Sequence, residues 1–237
     1  TIVNAAKEPH VVDLANFLGA MGARIKGAGT DTIRITGRPL LHGCTYRILP
    51  DPIETGTWMA IAAATRGDIT IRGCIPYHLE AVSAKLMEMG MNVIEGEDFI
   101  RVIGTSRPRP VQIKTLAYPG FPTDLQQPFT VLLSVASGTS MVIENIFESR
   151  FRHVDELRRM GAQIRVQDRV AVIDGVESLW GSPVNATDLR GSAALIIAGL
   201  IADGYTQIGN VRYIDRGYER IDDSLRRLGA AIERTAD

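Results

Sequence analysis

The feature that most constrains the fold of this 237-residue chain is an internal repeat. Amphipathic segments end in a Met-Gly or Leu-Gly pair at four places, and the glycines are 68, 71 and 68 positions apart: Gly22, Gly90, Gly161 and Gly229. Glycine adopts the left-handed conformation at a helix end without steric cost, so each pair predicts a helix terminus. A strand or hairpin pattern follows each of them. Self-similarity at a fixed spacing predicts a repeat architecture.

Between these helices lies a second recurring pattern, in which an aspartate precedes an apolar segment. The aspartates are Asp51, Asp124 and Asp188, and the apolar helices predicted after them cover 57–64, 129–136 and 193–202. Each predicted helix leads into a further strand. The repeat unit is therefore strand, helix, strand, helix and hairpin. It predicts an inside-out α/β barrel of βαβαββ repeats, with the strands outside and the apolar helices inside.

Counted in these units, the chain begins and ends within a unit. Residues 1–6 match the middle strand of a unit, and residues 47–50 mark the change from a partial unit to nearly complete ones. We expect residues 1–49 to be the terminal part of one domain and residues 50–237 to form most of a second. The sequence therefore predicts a piece of a longer protein, with an amino-terminal half as its partner.

Composition and charge argue against several classes of function. Lysine and arginine number 26 against 27 aspartates and glutamates, so the chain lacks the basic field of a non-specific nucleic-acid binder. Its most apolar run, 193–202, is about half of the roughly 20 residues that a membrane span needs. We expect neither a nucleic-acid nor a membrane partner. Cys44 and Cys74 fit buried thiols in a reducing cytoplasm, and the histidines are scattered, so no metal or cofactor is expected.

Six short motifs occur in order along the whole chain. They are Glu-Pro at 8–9, Asp-Pro-Ile-Glu-Thr-Gly-Thr at 51–57, Phe-Pro-Thr-Asp at 121–124, His-Val-Asp-Glu-Leu at 153–157, Ala-Thr-Asp-Leu-Arg at 186–190 and Ile-Asp-Arg-Gly-Tyr-Glu-Arg at 214–220. Together they resemble the UDP-N-acetylglucosamine 1-carboxyvinyltransferase family of enolpyruvyl transferases. The resemblance implies two inside-out domains of three βαβαββ units each, with the site in the cleft between them.

The resemblance also implies a reaction and a cellular role. The enolpyruvyl group of phosphoenolpyruvate is transferred to the 3-hydroxyl of UDP-N-acetylglucosamine, and phosphate is released without a cofactor. This is the first committed step of peptidoglycan synthesis in the cytoplasm, and it connects the enzyme to cell-wall biogenesis, cell shape, the cell cycle and cell division. The catalytic cysteine loop, an arginine on it and a Lys-Asn pair of the family belong to the absent amino-terminal half, so we expect this chain alone to be inactive.

Two roles are open for Asp124. By the resemblance, it contacts the sugar 3-hydroxyl and takes its proton as that hydroxyl attacks C2 of phosphoenolpyruvate, which needs a base within hydrogen-bond reach. An aspartate at a helix start is more often an N-cap, and Asp51 and Asp188 recur in that position. The Tyr-Pro-Gly-Phe-Pro context at 118–122 and the resemblance favour the catalytic role, which capping does not exclude.

Three arginines are candidate ligands for anions. Arg150 and Arg216 lie in corresponding connections of neighbouring repeats, which a pseudo-symmetric fold brings toward one face. Guanidinium groups bind carboxylate and phosphate in two-point fashion, whereas an isolated arginine is more often a solvated surface charge. The resemblance makes phosphoenolpyruvate and the tetrahedral intermediate their ligands, with Arg216 also catalytic. Arg190 is expected in the same electropositive wall, and its alternative is pairing with Asp188 or Asp51.

The remaining site residues come from the resemblance. Ile146 and Phe147 are expected to touch the nucleotide sugar through main chain and an apolar face, with buried strand-end packing as the alternative for Phe147. The acidic residues expected to line the cleft or to position other groups, with helix capping as their alternative, are Glu8, Asp51, Glu54 and Asp188.

Two other functions remain open on the sequence alone. One is the related shikimate-pathway enolpyruvyl transferase, against which the motifs at 121–124 and 214–220 favour the sugar-nucleotide enzyme. The other is a non-catalytic RNA-binding module of related fold. Balanced charge and the lack of aromatic stacking motifs speak against RNA binding.

Overall fold

The computed structural model describes residues 1–104 and 106–235. Its strands are β1 (Ile2–Val3), β2 (Arg24–Lys26), β3 (Thr32–Thr36), β4 (Asp68–Arg72), β5 (Asn92–Glu95), β6 (Phe99–Ile103), β7 (Gln112–Lys114), β8 (Thr139–Ile143), β9 (Gln163–Gln167), β10 (Val170–Asp174), β11 (Leu179–Trp180), β12 (Pro183–Asn185), β13 (Ala202–Asp203) and β14 (Gln207–Gly209). Its α-helices are α1 (Pro9–Ala20), α2 (Pro52–Ala64), α3 (Glu80–Glu88), α4 (Gln126–Ser134), α5 (Val154–Arg159), α6 (Leu189–Ile201) and α7 (Ile221–Arg227). Short 3₁₀ helices cover Pro76–Leu79, Thr123–Leu125 and Val211–Arg216.

The predicted repeat is confirmed. The order β7, α4, β8, α5, β9, β10 is one full strand-helix-strand-helix-hairpin unit. All the predicted helix-end glycines have a left-handed backbone, with φ values of 96°, 94°, 93° and 96° at Gly22, Gly90, Gly161 and Gly229. A side chain at these positions would be strained, so the local backbone chemistry determines where α1, α3, α5 and α7 end.

Three apolar helices form the centre of the fold. Every residue of α4 is buried, and α2 and α6 pack against α4 and against each other. The approach is close at Gly56 of α2, where a Cβ atom would lie 2.3 Å from Cδ1 of Leu125. The strands surround these helices in separate sheets, ordered β1-β3-β2, β4-β6-β5, β7-β8-β10-β9, β11-β13 and β12-β14. The inside-out α/β arrangement is confirmed, but the described strands do not close into one barrel.

The four-stranded sheet determines which residues meet at the site. Strands β7 and β8 are parallel, and Lys114 pairs with Ile143 at their carboxyl ends. The residues that follow, Thr115 and Glu144, therefore lie side by side at the same sheet edge, where ligand sites of α/β folds are usually found.

Residues 1–49 contact the rest of the chain at few points. Residues 37–51 have no helix or strand. Within residues 1–49, the Tyr46 hydroxyl donates a 2.7 Å hydrogen bond to Asp13 on α1. The backbone N–H of Tyr118 donates to Oε1 of Glu8 over 3.4 Å.

Within the part of the chain that the structure describes, no helix combines the length and apolar character needed to cross a membrane.

Candidate active site

The Tyr118–Asp124 loop leads from β7 into α4. The Leu116 N–H donates to the Phe121 carbonyl over 3.0 Å, and the Phe121 ring packs edge-on against Phe129 with centroids 4.9 Å apart. The Tyr118–Pro119 peptide bond is cis. The loop ends in the 3₁₀ helix that contains Asp124, and Leu125 of that turn is fully buried against α2. Packing on both sides thus fixes the backbone that carries the Asp124 carboxylate.

Asp124 does not cap a helix. Its Oδ1 accepts a hydrogen bond from Nη2 of Arg150 at 2.5 Å, and its Oδ2 accepts from Nε of Arg190 at 3.1 Å. Asp51 and Asp188 do cap their helices, because each accepts from the two backbone N–H groups at the second and third positions of α2 and α6. Helix capping, the alternative role for Asp124, is therefore wrong, because its side chain pairs with arginines from other elements. Its catalytic role stays a prediction.

Arg190 connects Asp124 to the central helices. Its Nη1 donates to the Tyr218 hydroxyl over 3.2 Å, and that hydroxyl shares a 2.8 Å hydrogen bond with Oγ1 of Thr57 on α2. Burial opposes the charge on Arg190, but Tyr218 and Asp124 outweigh it and raise the pKa of the guanidinium. The alternative partners of Arg190, Asp188 and Asp51, are not the ones observed. We refer to Thr57, Asp124, Arg150, Arg190 and Tyr218 as the Asp124 cluster.

Arg150 connects the cluster to the segment that follows β8. Its guanidinium carbon lies 4.7 Å from the centroid of the Phe147 ring, which is a cation–π distance. Phe147 is 49% exposed and Ile146 is 39% exposed. Buried strand-end packing is therefore the wrong alternative for Phe147. The two side chains instead present an apolar surface beside the paired charges of Asp124 and Arg150.

The other predicted residues lie around or away from this cluster. Arg216 is exposed at the end of its 3₁₀ helix, and among the described residues no hydrogen bond or ion pair joins it to the cluster. Glu8 stands immediately before α1, within reach of the Tyr118 loop. Burial raises the pKa of Glu54. A hydrogen bond from Trp58 lowers this pKa, and the negative charges of Asp51 and Glu219 raise it further. The roles of these residues in binding or catalysis stay predictions.

The burial of two polar residues beside the Asp124 cluster, Glu144 and His153, was not predicted from the sequence. Glu144 is 1% exposed and accepts hydrogen bonds from Thr115, Thr123 and the backbone of the 146–147 segment. His153 is also 1% exposed, and neither ring nitrogen has a hydrogen-bond partner among the described residues. A glutamate directly after an apolar strand was the available signal for Glu144. His153 belongs to the motif at 153–157, but nothing in that motif indicates that its ring is buried.

The pH dependence of stability should report the burial of His153. Burial lowers its pKa from 6.5 to about 4; the charge of Asp188 opposes this and that of Arg150 adds to it. As the pH falls, the imidazole of His153 takes up a proton near pH 6.5 in the unfolded chain but only near pH 4 in the folded chain. The free energy of unfolding should therefore fall by up to about 3 kcal/mol as the pH decreases through this window.

Chemical denaturation of the full-length protein at about pH 7 and about pH 4.5 measures this loss. We expect His153→Gln to remove most of the contribution, and His10→Gln, at an exposed position, to leave it unchanged. An identical loss of stability in His153→Gln and the unmodified protein would contradict the assignment.

The described residues contain no preformed set of metal ligands. Among residues 1–104 and 106–235, no group of three or more histidine, cysteine, aspartate and glutamate side chains is placed to hold a metal ion. The expected buried thiol is confirmed for Cys74 and is wrong for Cys44, which is exposed. Burial raises the pKa of the Cys74 thiol, and hydrogen bonds from the backbone oppose this more weakly.

Comparison with known proteins identifies the family. The sequence model of the family described as EPSP synthase (3-phosphoshikimate 1-carboxyvinyltransferase) matches residues 1–225. The chain belongs to this family. One curated relative of the chain is the UDP-N-acetylglucosamine 1-carboxyvinyltransferase 3 of Caldanaerobacter subterraneus subsp. tengcongensis. It is 59% identical to the chain over 231 residues. The match covers 98% of the chain and 55% of that relative, and it confirms the resemblance. The chain spans about half the length of the curated relatives it matches.

Solved structures agree with the fold of this family member. The enolpyruvyl transferase NikO from Streptomyces tendae has a TM-score of 0.83 and 30% identity, over 95% of the chain and 54% of NikO. EPSP synthase from Acinetobacter baumannii has a TM-score of 0.70 and 19% identity, over 92% of the chain and 54% of the synthase, which shows a shared fold alone. The α/β fold is thus that of the enolpyruvyl transferases.

Proposed function

We propose that this chain is the carboxy-terminal part of a UDP-N-acetylglucosamine 1-carboxyvinyltransferase. In the complete enzyme, the 3-hydroxyl oxygen of the sugar bonds to C2 of phosphoenolpyruvate, the hydroxyl proton passes to Asp124, and C3 gains a proton as the C2–C3 double bond becomes a single bond. Elimination then breaks the C2–O bond to phosphate and removes a proton from C3, which yields the enolpyruvyl ether and phosphate. We place this reaction in the cytoplasm, at the first committed step of peptidoglycan synthesis. It thereby serves cell-wall biogenesis, cell shape, the cell cycle and cell division.

The observation that carries the proposal is the Asp124 carboxylate held between Arg150 and Arg190. Their side chains are 18% and 14% exposed, and that of Asp124 is 33% exposed, so solvent and substrate reach the carboxylate more easily than the guanidinium groups. A base and two cations in fixed positions suit a reaction in which a hydroxyl loses a proton beside a carboxylate and a phosphate. We assign Arg216 to the same anionic ligands on the strength of the resemblance.

Sequence similarity favours the sugar nucleotide over shikimate as the acceptor. The relative named for UDP-N-acetylglucosamine is 59% identical, whereas the solved EPSP synthase is 19% identical, although the family model carries the shikimate enzyme's name. The exposed apolar pair Ile146 and Phe147, next to Arg150, supports contact with the nucleotide sugar. The RNA-binding alternative has no support from these relatives.

We propose that the missing amino-terminal half is a partner of residues 1–49. In this segment α1 buries little, with Pro9 as its buried residue. The segment leaves several large apolar side chains exposed: Ile2, Val3, Leu14, Ile35, Leu40, Leu41 and Ile48. Exposed apolar side chains in this number suit a surface that another part of the protein covers. Residues 1–49 would complete a first domain with that half, residues 50–237 would form the second, and the cleft between them would contain Glu8, Asp51, Glu54 and Asp188.

The test is phosphate release from phosphoenolpyruvate, with mass analysis of the product. We expect the full-length protein to release phosphate with UDP-N-acetylglucosamine and not with 3-phosphoshikimate. The chain of residues 1–237 alone is expected to release none, because half of the cleft is absent. Release with 3-phosphoshikimate instead would refute the assigned acceptor, and turnover by the chain alone, verified as a single species, would refute the need for the other half.

A further inference from the structure

We propose that Glu144 is a positioning residue of this site. Its carboxylate fixes the turn that carries Asp124 relative to the 146–147 segment, and it thereby sets the place where the nucleotide sugar binds. The inference rests on the proposed function. Glu144 itself is buried and is not expected to touch the substrate.

The carboxylate of Glu144 joins three separate parts of the chain. Its Oε1 accepts from the Thr115 hydroxyl at 2.9 Å and from the backbone N–H groups of Ile146 and Phe147 at 2.8 and 3.1 Å. Its Oε2 accepts from the Thr123 hydroxyl at 2.9 Å. Thr123 is adjacent to Asp124 in the chain. One side chain therefore holds both the segment proposed to contact the sugar nucleotide and the turn that bears the proposed base.

The directions of these hydrogen bonds are internally consistent. The Asn145 N–H donates to Oγ1 of Thr115 over 2.9 Å, so that the Thr115 hydroxyl can direct its own proton to Glu144. All the groups that contact the carboxylate are donors, which matches the acceptor-only character of an ionised carboxylate. A buried carboxylate is costly unless its oxygens are paired in this way. Loss of the acceptor would leave two backbone N–H groups without it.

Glutamine is a close substitute for this geometry and alanine is not. The amide oxygen of glutamine can accept from Thr115, Ile146 and Phe147, and its NH₂ group can donate to Thr123 after the Thr123 hydroxyl rotates. Glu144→Gln therefore keeps the connections and removes the charge. Glu144→Ala removes all of the connections, so the two variants separate positioning from charge.

The experiment measures steady-state kinetics of the full-length protein with UDP-N-acetylglucosamine and phosphoenolpyruvate. For Glu144→Ala we expect KM for the sugar nucleotide to rise about tenfold or more, since each lost hydrogen bond to a charged group is of that order. KM for phosphoenolpyruvate should change less than about threefold, and Glu144→Gln should stay within about threefold of the unmodified protein. Amide hydrogen exchange over residues 144–150 should be faster in Glu144→Ala alone.

The control is Glu148→Gln, which removes a charge from the same segment at a side chain that is 85% exposed. It should leave both KM values unchanged. If Glu144→Ala lowers only the yield or melting temperature and leaves KM for the sugar nucleotide unchanged, the residue is merely structural and the proposal is overturned. Loss of sugar-nucleotide affinity in Glu144→Gln equal to that in Glu144→Ala overturns it as well.

Thr123 provides a second test if Glu144→Ala does not fold. Thr123→Val removes the hydroxyl that binds Oε2 of Glu144, whereas Thr123→Ser retains it. We expect KM for the sugar nucleotide to rise in the valine variant and to recover in the serine variant; equal KM values in both overturn the proposal. If the unmodified full-length protein does not turn over this substrate pair at all, the proposed function fails first, and the hydrogen-exchange comparison still tests whether Glu144 orders the segment.

Discussion

Asp124→Asn is expected to lower kcat of the full-length protein by about 10²- to 10⁴-fold, the usual contribution of a general base. Asparagine keeps one oxygen for Arg150 or Arg190, but its NH₂ group cannot take the proton of the attacking hydroxyl. The loss of stability should be small, about 1–2 kcal/mol, because the side chain is one-third exposed and caps no helix. Phosphate release and chemical denaturation measure the two effects separately.

A matched control for Asp124→Asn is Asp155→Asn. Asp155 also pairs with an arginine, Arg158, but its side chain is 77% exposed on α5. It should change neither kcat nor stability appreciably. If the activity of Asp124→Asn fell only in proportion to the folded fraction, Asp124 would be a structural ion-pair partner and not the base.

Arg190→Lys should produce the second large effect. Arg190 contacts Oδ2 of Asp124 through Nε and Nη2, at 3.1 and 3.0 Å, and contacts Tyr218 through Nη1. A lysine ammonium is a single point of charge and cannot make this set of contacts together. We expect kcat/KM to fall about 100-fold, the size of effect that a displacement of about 1 Å in a site produces. Steady-state kinetics of phosphate release measures it.

Two comparisons make the Arg190→Lys result specific. Arg158→Lys on α5, with a 44% exposed side chain, should have no effect on kcat/KM. The double variant Asp124→Asn with Arg190→Lys should lose less than the product of the two single losses, because the residues act through one contact. Losses that multiply fully would contradict the idea that Arg190 acts by holding Asp124.

The features predicted well from sequence are those that depend on local backbone chemistry. Glycine at a helix end requires no distant partner, and Gly22, Gly90, Gly161 and Gly229 all have the predicted left-handed backbone. Helices α2, α4 and α6 could be predicted from their apolar segments, because such segments are stable only when they are buried in the core. Asp51 and Asp188 cap helices by bonds to residues two and three positions away, so their role was also local.

The features missed or misassigned depend on contacts between distant segments. Asp124 has the sequence context of a cap, but its side-chain partners, Arg150 and Arg190, are 26 and 66 positions away in the chain. Glu144 is buried because Thr115 and Thr123 reach it from other elements, 29 and 21 positions away. Nothing near Glu144 in the sequence indicates these donors. The position of Arg216 relative to the cluster also depends on the tertiary structure.

The most direct test of the central claim is a crystal structure of the full-length protein with UDP-N-acetylglucosamine bound. The quantity to measure is the distance from the sugar 3-hydroxyl oxygen to the nearest carboxylate oxygen of Asp124. We predict hydrogen-bond contact, about 2.6–3.2 Å, with the nucleotide sugar against Ile146 and Phe147. A sugar bound elsewhere, with Asp124 still enclosed by Arg150 and Arg190 and out of reach of the hydroxyl, would contradict the account.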